Sequence, residues 1–170
     1  MVSAASRTAR LNKQFPARWI DVAADAATAH DIARAVLVRR RYRLGAAPAG
    51  GVLVYEYGTR LGEFIDDMYS LGLIAYLFGR PTGYGRVAVF TEAVDGGTRL
   101  TVSLVTGRNH ARSVREVVAE LIHTVAATGL LVQAGDPFSG VDLPSDSPGQ
   151  PVPGYRRRQE RRTGKAARQA

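Results

Sequence analysis

The sequence predicts an α+β fold, an antiparallel sheet with a long C-terminal helix packed across it and a basic tail at either end. Three observations carry the prediction. From Asn109 to Gly129, apolar residues fall at Val114, Val117, Val118, Leu121, Ile122 and Val125, the spacing that stacks side chains on one face of a helix. Just upstream, Leu100, Val102 and Leu104 alternate with Arg99, Thr101 and Ser103, the period of a strand. An amphipathic helix of about twenty residues is marginal alone in water and needs a surface to lie on, which such a sheet supplies.

Taken in order, residues 1–14 are small and basic without periodicity and are expected to form a mobile arm. Arg18 to Ala23, with Trp19, reads as a first strand. Asp25 or Thr28 can cap a helix from about Ala26 to Arg40, whose apolar face is Ala29, Ile32, Ala33, Val36 and Leu37. It closes in Arg39, Arg40 and Arg41, cations that suit the negative end of a helix dipole. Tyr42 to Ala47 and Val52 to Gly58 flank the turn Pro48-Ala49-Gly50-Gly51 and form a first hairpin. In Arg60 to Gly79, Phe64, Ile65, Met68, Leu71, Ala75 and Phe78 match a helical stripe, interrupted by Gly62 and Gly72.

Gly79 to Gly85 is a loop. Arg86 to Ala93 and Thr98 to Thr106 make a second hairpin through Asp95-Gly96-Gly97, one face apolar and the other wet. In the long helix, Asn109 is expected to cap the first turn and Gly129 to take a left-handed C-terminal position, with Arg112, Arg115, Glu116, Glu120 and His123 on the polar face. Leu130 to Val132 can then fold back. From Gly135 the prolines at 137, 144, 148, 151 and 153 argue for linker, and Arg156 to Ala170 for a disordered tail. One domain, 15–134, is therefore expected, followed by a linker and tail over 135–170.

Charge separates along the chain. The net +8 sits in the ends: Met1 to Arg18 holds four basic residues and no acid, Arg156 to Ala170 seven against Glu160. A polyanion would meet the tails first. The absence of cysteine excludes a disulfide framework and thiolate chemistry. The longest apolar run, Met68 to Phe78, is eleven residues, short of the roughly twenty that span a bilayer as a helix. With no signal-peptide core near the start, a cytoplasmic protein is expected, with peripheral membrane attachment as the second option. Arginine outnumbers lysine twenty-one to two, a bias that fits GC-rich bacterial coding.

The run Glu92-Ala93-Val94-Asp95-Gly96-Gly97-Thr98-Arg99-Leu100-Thr101-Val102, followed by a terminal helix, resembles the closing part of helix-grip domains of the polyketide cyclase and START-related lipid-transfer superfamily. The resemblance covers about a quarter of the chain, and it implies a cavity for a small molecule or lipid between sheet and helix.

Catalytic signatures are weak. Glu120 and His123 have the i, i+3 spacing of di-metal bundles, but in one copy and on a polar face; Glu63, Asp66 and Asp67 fit a helix start as well as a cation. His30 and His110 have no second ligand at metal spacing, so no metal or cofactor is expected, and no serine has recognisable triad partners. Arg108, Asn109 and Arg112 at a helix start could hold an anion, as could Arg156, Arg157, Arg158, Arg161 and Arg162 in the tail. Met68, Leu71, Ile74, Tyr76 and Phe78 belong to a segment apolar almost all round, suited to contact an apolar small molecule, a protein partner or a second copy in a homodimer. The reading is a non-enzymatic module that binds an apolar ligand or a protein partner. Its alternatives are a protein that meets nucleic acid or anionic membrane non-specifically through the tails, and a helix-grip enzyme.

Overall fold

The computed structural model describes residues 14–45, 51–58 and 83–151. Seven strands and two α-helices follow one another as β1 (Pro16–Val22), α1 (Ala26–Arg39), β2 (Arg43–Leu44), β3 (Leu53–Tyr57), β4 (Gly85–Val94), β5 (Gly97–Thr106), α2 (Ala111–Ala127), β6 (Leu131–Ala134) and β7 (Phe138–Ser139). The sheet is antiparallel throughout, in the order β2-β3-β4-β5-β1-β6, with β7 pairing the start of β1. The α+β class, the antiparallel sheet and the long helix late in the fold are thus as the sequence predicts. The expected helix over Arg60 to Gly79, the tail from Arg156 and most of the N-terminal arm lie outside the described residues.

Both helices lie on one face. Val114, Val117, Val118, Leu121 and Val125 of α2 and Ala29, Ala33, Val36 and Leu37 of α1 share one cluster with Ile20, Val87, Val89, Leu100, Val102 and Leu104 of the sheet. Asp25 caps α1, its carboxylate accepting from the Thr28 amide at 2.7 Å. The helices are tied along their polar sides, where Arg40 donates to Glu120 at 2.6 Å and Arg39 to Glu120 at 3.1 Å, while Glu116 takes Arg40 at 3.4 Å and Arg112 at 3.0 Å. At the end of α2 the Gly129 amide donates to Ala126 and the Leu130 amide to Val125, a Schellman closure with Gly129 at φ 72°.

Two expectations are corrected. Asn109 does not cap α2: Arg108–His110 forms a 3-10 turn, Asn109 is exposed, and no side chain caps the helix start. The stretch after Gly135 is not bare linker, because β7 adds to β1 and a 3-10 turn, Gly140–Asp142, begins a strap that crosses the second face of the sheet. Alternation in β4 sends Val87 and Val89 to the helices and Ala88 and Phe90 the other way, where they join Val105, Val52 and Leu143. Ser103 is fully buried there and donates to the Gly149 carbonyl at 2.7 Å. The face expected to be wet is therefore covered in its middle, and proline excluded a helix from the strap without excluding packing.

Candidate functional site

The sequence-predicted contact residues Met68, Leu71, Ile74, Tyr76 and Phe78 lie outside the described residues, but both ends of the segment that carries them are inside. The chain leaves β3 at Gly58 and rejoins at Gly83, and these glycines touch: a Cβ on Gly58, which sits at φ 74°, would overlap the Gly83 carbonyl oxygen. Gly58 and Gly83, which flank residues 59–82, thus form a neck between neighbouring antiparallel strands.

Three aromatic rings from distant parts of the chain meet at this neck. His110, wholly buried, has its ring centroid 5.0 Å from Tyr57 and 6.4 Å from Tyr42, both near edge-on, and the two tyrosines are 5.3 Å apart. Nε2 of His110 lies 3.3 Å from the Gly83 carbonyl oxygen and donates to it in the Nε2-protonated tautomer. The imidazole fits because residue 85 is glycine; a Cβ there would stand 2.6 Å from the ring. On the far side the Tyr42 hydroxyl, pushed up to about 12 chiefly by burial, bonds Ser113 of α2 at 3.1 Å. Tyr84 donates to Glu56 at 2.7 Å beside the ion pair of Glu56 with Arg86, which fixes the strand side of the neck. Deeper in β3, the buried Tyr55 hydroxyl has no hydrogen-bond partner among the described residues, and burial raises its pKa.

The other sequence-predicted groups fall elsewhere. Arg108 and Asn109 are exposed on the 3-10 turn next to the neck, and Arg112, also exposed, is shared with Glu116. Glu120 is held by Arg40 and Arg39, which keep its carboxyl below the usual range, so Glu120 serves helix pairing, while His123 is exposed. No group of three or more His, Cys, Asp or Glu side chains able to hold a metal ion occurs among the described residues. Tyr42, Tyr57 and His110 escaped sequence reasoning as a unit, since no local period links three positions so far apart. No protein-family model, curated protein or solved structure matches the chain.

Proposed function

We propose that the chain is a small binding module that engages an apolar ligand or a protein partner through residues 59–82, held at the neck described above. The observation that carries the reading is the closure of this segment at Gly58 and Gly83 against the buried His110 ring. An insertion with touching ends can be long without disturbing the sheet, because its closure entropy is set at the neck and grows only slowly with length. The run Met68 to Phe78 is apolar, while the interface between α2 and the sheet already has its own complete set of apolar partners. Binding is therefore assigned to the insertion rather than to the helix–sheet interior that the helix-grip resemblance implies.

The test uses full-length Leu71→Asp and Phe78→Asp, followed by uptake of a fluorescent fatty acid and by sedimentation across protein concentration. Loss of uptake or self-association with an unchanged thermal midpoint supports the reading. Unfolding of both variants would make the segment core and remove it.

The alternative, an anionic-surface protein acting through Arg156, Arg157, Arg158, Arg161 and Arg162, rests on the charge of the tail. It predicts that deleting 156–170 leaves the thermal midpoint in place while flattening the salt dependence of DNA binding, by close to one log-log unit per lost phosphate contact.

A further inference from the structure

Arg41 is the one non-glycine residue with positive φ among the described residues, at 66°. It ends α1 where a glycine is usual: its amide donates to Val38 and that of Tyr42 to Leu37, the Schellman pattern that Gly129 completes in α2. A left-handed arginine costs stability that glycine would not, and a strained residue held in place points to a use for its side chain. Arg41 is exposed and has no ion-pair partner among the described residues, and the same holds for Arg108.

These two cations belong to one corner. Tyr42 lies beside the His110 ring and bonds Ser113, which sets the turn at 39–43 against the start of α2 at 108–115. Arg39, Arg40 and Arg41 come from the first segment and Arg108, Arg112 and Arg115 from the second, facing Glu116 and Glu120 as the acids of α2. Leu44 stands opposite the buried Tyr55 in the β2–β3 ladder and so is on the helix side of the sheet, whereas Arg43, opposite Glu56, is on the other face and outside this corner. Large hydrophobic side chains are exposed at three places among the described residues, and two of them, Val38 (54% exposed) and Leu44 (46%), flank this turn.

We infer that this corner docks on an anionic lipid surface, with Arg41 and Arg108 meeting headgroup phosphates and carboxylates and Val38 and Leu44 entering the interface. Clustered cations beside exposed aliphatic side chains suit a membrane surface, where charge attraction and shallow burial add. A single-stranded nucleic acid would instead call for aromatic groups that stack on bases, and the aromatic rings of this corner, Tyr42 and His110, are buried; a duplex would be met by the cations alone and would leave Val38 and Leu44 without a role. The assignment concerns the folded domain and is independent of the insertion and of the tail.

The full-length protein is mixed with vesicles of phosphatidylcholine alone and with phosphatidylserine added, and separately with duplex DNA. The expected result is binding to the serine-lipid vesicles that salt releases, weakened about fivefold per charge removed, so about twenty-five-fold in Arg41→Gly/Arg108→Gln, with Arg43→Gln, on the other face of the sheet, having the smaller effect. Val38→Ser/Leu44→Ser should weaken vesicle binding and leave DNA binding as it is. Arg41→Gly alone should keep or raise the thermal midpoint, which separates lost binding from lost folding. A double variant that binds vesicles like the wild type overturns the inference, and so does a wild type for which Arg41 and Arg108 matter to DNA and not to vesicles.

Discussion

Raising the pH should unfold the protein through Tyr42 in a way that one substitution can isolate. The residue is 1% exposed, packs against the rings of Tyr57 and His110, and donates its hydroxyl proton to Ser113. Burial, the main cause, pushes its pKa up to about 12, against about 10 in an unfolded chain. Below pH ~10 both states hold the proton and stability is unaffected. Between the two values the unfolded chain releases the proton and the folded one keeps it, so stability falls by about 1.4 kcal/mol per pH unit, roughly 2.7 kcal/mol in all, and levels off above pH ~12. Urea unfolding of wild type and Tyr42→Phe, from pH 8 to 12 in steps, reads this directly. The variant should start about 1 kcal/mol lower for the lost hydrogen bond and then lose less stability with pH, the two curves converging and crossing. Parallel curves would show that Tyr42 ionises as freely in the folded protein as in the unfolded chain, and the described packing of the neck would be wrong.

Leu121→Ala, which removes a buried side chain at the middle of α2, should cost about 2 to 5 kcal/mol in thermal or urea unfolding. Glu120→Ala, one residue away, should cost about 0.5 to 1 kcal/mol for its two partly exposed arginine contacts, and equal losses for the two would refute the face assignment of α2. Gly85→Ala should destabilise by about 1 to 3 kcal/mol, because its Cβ meets the His110 ring, and Gly85→Ala/His110→Ala should recover part of that loss if the ring is the obstacle. Gly149→Ala puts a Cβ within 2.8 Å of both Leu143 and Phe90 and should loosen the strap before the core, seen as faster hydrogen exchange at Gly149 and Gln150 with protection of β4 and β5 retained.

Elements with a long period were legible in the sequence, and junctions were not. The α2 stripe repeats over about three turns, and each of its positions from Val114 to Val125 packs toward the sheet. Gly129 was legible because a left-handed helix end has a strong residue preference. Asn109 misled for the converse reason, since asparagine suits a cap wherever it stands. Here the left-handed Gly107 and the burial of His110 set the path of the chain into α2, and Asn109 is left outside. The strap was hidden because its contacts are single residues, Leu143 on Phe90 and Gly149 under Ser103, too few to make a pattern. The neck was hidden because its three rings come from three separate segments and are united only by the sheet.

Arg41 and Tyr42 show how one turn serves two purposes. A helix that ended on an ordinary right-handed residue would carry residue 42 onward along the surface. The left-handed step instead drops the Tyr42 amide onto Leu37 and sends the ring inward against Tyr57 and His110. Glycine would make the same step with less strain, so the backbone requirement does not account for arginine. What arginine adds is a cation fixed at the rim, one residue from an anchor that reaches Ser113 in α2 and the ring that lines the neck at Gly83. The charge is thereby presented from a rigid base rather than from a frayed helix end. A ligand that engages Arg41 would pull on the same turn that holds Tyr42 in the neck, which makes this turn, with the 3-10 turn that carries Arg108 and His110, a physical link between the basic corner and the neck at Gly83.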